Sequence, residues 1–150
     1  MFLESLLILT SVIISFFLYR HLVLESIFKK LIIILDEVKI VTLKLKEGEF
    51  NIKLIITNTA NKTIGLGHIE YILYGNGYEI GKGKISCNLI ICPRSTIILN
   101  TLLEVKDSYG AGQIWASCKW RIPVYWKIRG TIYFKRWFGL VSFPFVSESK

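Results

Sequence analysis

The stretch "FNIKLIITN", residues 50–58, decides the fold class because its apolar residues recur at every second position. In an extended strand this period places Phe50, Ile52, Leu54 and Ile56 on one face. A helix would repeat its apolar residues every three or four positions instead. The stretch therefore predicts a β-strand with one buried face.

The same period continues along the chain from about residue 32. In "HIEYILY", residues 68–74, alternate apolar side chains again share a face, and turn signals such as "GNG", residues 75–77, separate these runs. Seven short strands at this spacing predict a mainly β protein, an immunoglobulin or fibronectin type III-like antiparallel β-sandwich. The expected core residues are Phe50, Ile52, Leu54, Tyr71, Leu73, Trp126, Ile128 and Ile132.

One stretch, "DSYGAGQIWASCKW" at residues 107–120, lacks the alternation. Asp107-Ser108 is a suitable N-cap, and Ile114 and Cys118 follow at a helical interval. The stretch predicts one short helix packed on the sandwich.

The N-terminus has a different composition. Residues 5–19, "SLLILTSVIISFFLY", carry no charge, and a membrane-spanning helix needs about 20 mostly apolar residues, a length reached if Arg20 extends its charge to the interface. A secretory signal peptide has positive charge before its apolar run, whereas here Glu4 precedes it. We therefore predict a transmembrane anchor over residues 1–31, followed by the sandwich over residues 32–150.

Charge around the anchor predicts its orientation. Lys and Arg follow the apolar run and are missing before it, so the positive-inside tendency places the N-terminus outside and the body in the cytoplasm. The expectation is a single-pass membrane protein whose Asn61 sequon is not glycosylated. The three cysteines show no disulfide or zinc spacing, and reduced thiols agree with a cytoplasmic body.

Three longer stretches are recognisable in their order. They are "NIKLIITNTANKTIGLGHIEYILYGNGYEIGKGKI" (51–85), "CPRSTIILNTLLEV" (92–105) and "IPVYWKIRGTIYFKRWFGLVSFPF" (122–145). Together they resemble the late embryogenesis abundant group-two family, also called the water-stress and hypersensitive-response domain, over roughly residues 33–147. The family often has Asn-Pro-Asn after its second strand, where this chain has "NTAN", residues 58–61.

The resemblance implies a sandwich with a short helix before its last two strands. It also implies a non-enzymatic module associated with desiccation or other stress, often membrane-tethered, with no shared catalytic residues. The residues themselves lead to the same expectation. His21 and His68 lack the neighbours of a nucleophilic site, and His68 with Glu70 and the cysteines matches no metal spacing. No catalytic residue, metal or cofactor is therefore predicted.

The ribbon "YWKIRGTIYFKRWFGLVSFPF", residues 125–145, alternates aromatic and basic residues. Between Asp107 and Glu148 the chain has no acidic residue, and this asymmetry contributes much of its net charge of +8. The composition suits the headgroup layer of a bilayer. The candidate membrane-surface residues are Lys127, Arg129, Lys135, Arg136, Trp137 and Phe138.

Other interpretations of this ribbon stay open. A solvated basic face explains it as well as membrane docking does. Single-stranded nucleic acid is less favoured because the chain is tethered and half of the aromatic residues alternate onto the core face. The expected partners are membrane lipids, through the anchor and the basic face, and other membrane proteins. Two functions follow: a membrane-anchored stress-protection module, or an accessory structural subunit of a membrane protein complex.

Overall fold

The computed structural model describes residues 2–136 and 139–149 of the chain. Within them, two helices and seven strands follow one another, and they confirm the mainly β class and the short helix before the last two strands. The elements are α1 (Phe2–Lys30), β1 (Leu31–Leu43), β2 (Gly48–Asn58), β3 (Ile64–Gly75), β4 (Tyr78–Ile91), β5 (Thr96–Val105), α2 (Tyr109–Lys119), β6 (Trp126–Arg136) and β7 (Gly139–Glu148).

The strands form two antiparallel sheets that pack face to face, which confirms the predicted sandwich. One sheet has the order β1-β2-β5 and the other the order β4-β3-β6-β7. In an immunoglobulin constant domain the fourth strand joins the sheet of the first two strands. Here β4 pairs with β3 instead, so the second sheet gains a strand and offers a broader outer face.

The core contains the residues that the period of two predicted. Seven of the eight predicted core residues are buried, and the exception is Trp126. Trp126 is only partly buried, because it begins β6 at the end of the sheet, where its ring meets the edge of Phe50 at 5.8 Å. All three cysteines are free thiols.

Helix α2 begins where its capping residue predicted. The Ser108 hydroxyl accepts a hydrogen bond from the Ala111 amide at 3.1 Å and donates to the Ile80 carbonyl at 2.6 Å, so one side chain caps the helix and attaches it to β4. A Cβ at Gly110 would collide with the Glu79 carbonyl oxygen. The glycine that weakens the helix locally is therefore required for its close packing on β4.

The sandwich has one end next to α1, which we call the anchor-proximal end. β1 begins at Leu31, directly after the helix, and Leu31 pairs with Asn58 at the end of β2. The same end therefore carries the loops at 59–63 and 92–95, the last residue of β6 at Arg136 and the first residue of β7 at Gly139. The Thr59 amide and hydroxyl both donate to the carbonyl of Lys30, at 2.8 and 2.7 Å, and tie α1 to this end.

Candidate functional site

Helix α1 is suited to a bilayer by composition and length. Its stretch Phe2–Arg20 is long and apolar enough to cross a membrane, and none of it is buried against the sandwich. Such a stretch near an N-terminus is a membrane span or a signal sequence. At 1.5 Å per residue, the 29 residues of α1 measure about 44 Å, close to the 40–45 Å thickness of a bilayer with its headgroups.

Two of the six predicted membrane-surface residues, Lys127 and Arg129, have side chains that the structure describes. Arg129 is exposed and Lys127 is half-buried, and both lie on the outer face of the four-stranded sheet. Strand β6 then continues from Lys127 to Arg136 at the anchor-proximal end, a distance of about 30 Å along an extended strand. The side chains of Lys135 and Arg136, like residues 137–138 that include the predicted Trp137 and Phe138, lie outside the described part of the chain.

Two lysines that the sequence analysis missed lie near Arg129. On the outer face, Ile72 of β3 has Lys82 of β4 on one side and Arg129 of β6 on the other. Lys84 follows two residues further along β4. These side chains border an open cleft of about 600 Å³, whose lining includes Glu70, Ile72, Lys82, Lys84, Arg129 and Thr131.

The "GKGK" sequence at residues 81–84 explains this placement. A Cβ at Gly81 would collide with Val105, and one at Gly83 with the Tyr71 phenol, so both glycines face the core. The phenol that fills the space beside Gly83 is itself buried, and burial raises the pKa of Tyr71. Because alternate residues face opposite sides of a strand, both lysines face outward. That alternation was the available signal for the cleft.

Glu70, in the lining of the cleft, belongs to a small polar cluster. Its carboxylate accepts a hydrogen bond from the Tyr133 hydroxyl at 3.3 Å and lies 3.7 Å from His68 Nε2. The rings of His68 and Tyr133 stack with their centroids 4.2 Å apart. The Glu70 charge raises the pKa of Tyr133 because it disfavours a phenolate. Among the described residues, no group of His, Cys, Asp and Glu side chains is arranged to hold a metal ion.

The anchor-proximal end exposes several large apolar side chains. Ile90, one residue before the end of β4, is 70% exposed. On the outer face of the three-stranded sheet, Ile34, Ile55 and Ile98 lie side by side across three strands, with Ile34 46% and Ile98 55% exposed. Together with Ile32 they form what we call the isoleucine patch. An exposed apolar surface of this kind is typical of a contact with protein or lipid.

Asn58 holds the loops of this end together. It is the one buried polar residue among those described, with no solvent exposure. Its Nδ2 donates to the carbonyls of Lys62, Ile91 and Cys92, at 2.9, 3.2 and 3.2 Å, and its Oδ1 accepts from the Ala60 amide at 3.0 Å. One side chain thus joins the loop after β2 to the loop after β4. The "NTAN" sequence reaches this arrangement without the proline of the family pattern.

Comparison with known proteins shows that solved structures share the fold of this chain. No family model matches the chain, and no curated protein does. The solution structure of AT1g01470 from Arabidopsis thaliana superimposes with a TM-score of 0.59 at 18% identity, over 77% of each chain. A protein described as a candidate late embryogenesis abundant (LEA) protein, At2g46140.1, gives 0.53 at 15% identity, over 87% of this chain and 83% of its own. The chain has the same sandwich fold as these proteins.

Proposed function

We propose that this chain is a membrane-anchored, non-enzymatic stress-protection module of the late embryogenesis abundant group-two kind. The observation that carries the proposal is that an exposed apolar helix of bilayer length leads directly into the first strand of the sandwich. A protein described as a candidate LEA protein has the same sandwich fold. In this proposal α1 is retained as an anchor and holds the sandwich at the membrane surface. There it binds lipids or client proteins as water is lost.

The anchor-proximal end is the surface that meets the bilayer in this proposal. A helix of about 44 Å ends at Lys30 near the outer limit of the headgroups. At this end Ile90 of β4 and the loop residues Lys62 and Arg94 are all exposed. An apolar side chain among cations suits the headgroup layer, where each basic residue contributes about 1 kcal/mol near anionic lipid. Trp137 and Phe138 stay predicted membrane-surface residues.

Docking is tested with labels at the two ends of the full chain in nanodiscs. In a background with all three cysteines changed to Ser, a fluorophore is attached at Ile90→Cys, an exposed position at the anchor-proximal end, or at Tyr109→Cys, an exposed aromatic position at the start of α2. A quencher attached to lipid headgroups should quench the first label strongly and the second weakly. Equal quenching of the two labels would exclude the docked orientation.

Orientation follows the charge rule in this proposal, with the sandwich in the cytoplasm. Protease added to intact cells should leave the sandwich uncut, and permeabilised cells provide the control. Cleavage of the sandwich from outside, or glycosylation of Asn61, would mean that the sandwich lies outside the cell.

Protection itself is measured on membranes. Vesicles that carry the full chain should retain more of an enclosed dye after drying and rehydration than vesicles without protein. The control is the full chain with Ile128→Ala, a core change expected to destabilise the sandwich by about 2–5 kcal/mol and so to lower the protection. If vesicles with and without the chain leak equally, the chain does not protect membranes.

The isoleucine patch favours a second candidate, an accessory subunit of a membrane protein complex. In this case a partner covers the patch on the outer face of the three-stranded sheet. Purification in mild detergent should then recover a partner in fixed stoichiometry, and Ile34→Ser with Ile98→Ser should release it. Recovery of the chain alone would support the protection module instead.

A further inference from the structure

We propose that the cleft on the outer face of the four-stranded sheet is a binding site for a small molecule that carries a phosphate monoester. The cations that line it are Lys82, Lys84 and Arg129. The site goes beyond the proposed function, because it lies on a sheet face and the docking surface lies at the anchor-proximal end. The following observations carry it.

The first observation is a convergence of unpaired cations. Lys82 and Arg129 flank Ile72 from either side, so their Cα atoms are separated by two strand spacings, about 10 Å. Lysine and arginine side chains are long enough to meet over a single anion across this gap. Within the described part of the chain, the ion pairs involve other residues, and none of the three cations has a carboxylate oxygen within 4.0 Å.

The second observation is the state of the one acid in the lining. Glu70 would repel an anion, but its carboxylate is engaged by the Tyr133 hydroxyl and lies close to His68. His68 and Tyr133 are cross-strand neighbours, and they lie two residues from Glu70 toward the anchor-proximal end. The anion site, between Lys82 and Arg129, lies two residues along β3 from Glu70, about 7 Å away. Lys84 is the direct cross-strand neighbour of Glu70, so the two cations that lie away from the acid are Lys82 and Arg129.

The shape favours a small ligand. A volume of about 600 Å³ falls in the range of small-molecule clefts, about 300–1,000 Å³. Ile72 supplies an apolar floor, and the Thr131 hydroxyl supplies a further hydrogen-bonding group. Arginine binds phosphate oxygens through two parallel hydrogen bonds, and lysine binds them as a point charge. Single-stranded nucleic acid is less suited, because it needs free aromatic faces and Tyr133 is already stacked on His68.

The test uses the full chain in nanodiscs of phosphatidylcholine and glycerol 3-phosphate as the probe. Isothermal titration calorimetry should show saturable binding with a Kd at or below about 1 mM. Lys82→Gln with Arg129→Gln should weaken it by roughly tenfold or more, because two charge-assisted contacts are lost. The matched control, Lys39→Gln with Lys106→Gln, removes two exposed lysines elsewhere and should change the Kd by less than about twofold.

A further variant separates binding from damage to the fold. Glu70→Gln removes the one acid of the lining and keeps an oxygen that can accept from Tyr133, so the probe should bind several-fold more tightly. A variant that merely disturbed the sheet would not improve binding. If Glu70→Gln weakens binding, or if both double variants lose affinity equally, the cleft is not the site.

Two sources of the phosphate are distinguished by a second probe. Dihexanoyl phosphatidic acid has the same headgroup with two short acyl chains. Equal affinity for both probes identifies a soluble phosphate ester, and binding of the lipid alone, still abolished by the Lys82 and Arg129 changes, identifies a lipid headgroup. Binding of neither probe, or displacement of the probe by single-stranded nucleic acid at lower concentration, would overturn the proposal. None of these outcomes depends on whether the anchor-proximal end docks on the bilayer.

Discussion

Replacement of Asn58 by Ala should destabilise the sandwich far more than the loss of one surface side chain. The Asn58 amide makes four hydrogen bonds, and the bonds to the Ile91 carbonyl and the Ala60 amide are buried. A buried polar group left without a partner costs about 1–3 kcal/mol, so two of them cost about 2–6 kcal/mol. The other two bonds are only partly buried, and water can replace them. The expected loss is a large share of the 5–15 kcal/mol of a typical domain.

The measurement is chemical unfolding of the full chain in a nonionic detergent, followed by tryptophan fluorescence. Asn61→Ala is the matched control in the same loop, because Asn61 is exposed and its Oδ1 accepts one hydrogen bond, from Arg94 at 2.9 Å. It should cost less than about 0.5 kcal/mol. Equal destabilisation by the two changes would refute the role assigned to Asn58.

An Asn58→Asp variant adds a pH dependence whose sign follows from the same contacts. The carboxylate would face three carbonyl oxygens in a buried site, so the pKa of this Asp should rise above its usual value of about 3.9. The protonated form is then favoured in the folded state. The variant should be most stable below about pH 4, and its stability should fall as the pH rises through the folded-state pKa. A stability that rises with pH over this range would contradict the geometry.

Three further predictions concern the four-stranded sheet. Ile128→Ala should cost about 2–5 kcal/mol and Lys127→Ala far less, because Ile128 is fully buried and its neighbour faces outward; equal losses in denaturant unfolding would mean a wrong register. Gly130→Ala should lower the melting temperature, since a Cβ there would collide with the Glu70 carbonyl oxygen, and an unchanged melting temperature would contradict this close approach. Glu70→Gln should lower the pKa of Tyr133 toward its usual value in an NMR titration. An unchanged pKa would mean that the Glu70 charge does not act on the Tyr133 hydroxyl.

Local patterns were sufficient to predict the elements. The alternation from Phe50 to Ile56 predicted both a strand and its buried face, because the pleat of a strand has the same period. Ser108 predicted the start of α2, because a capping hydroxyl acts on an amide three residues away. Gly130 predicted a close approach of neighbouring chain, which Glu70 and Phe145 make. Each of these interactions is contained in a few residues or in one face of one strand.

The surfaces could not be predicted in the same way because they depend on strand pairing. Lys82 and Arg129 lie 47 positions apart in the sequence (129 − 82), and they become neighbours only because β3 pairs with both β4 and β6. Conversely, Lys127 is close to Lys135 and Arg136 in the sequence. An extended strand separates such residues by about 3.3 Å per position, so one strand can reach from one end of a sandwich to the other. Composition predicted a basic ribbon but not the distance between its two ends.

This distance determines how the two proposed sites can act together. Arg129 is seven positions from Arg136 (136 − 129), which corresponds to about 23 Å along β6. The Debye length is about 8 Å at physiological ionic strength. The electrostatic potential of an anionic bilayer at the anchor-proximal end is therefore largely screened at the cleft. A membrane that repelled anions from the cleft would prevent a docked protein from binding a phosphate ester. At this separation the same net charge can hold the sandwich against anionic lipid and leave the cleft free to bind a soluble anion.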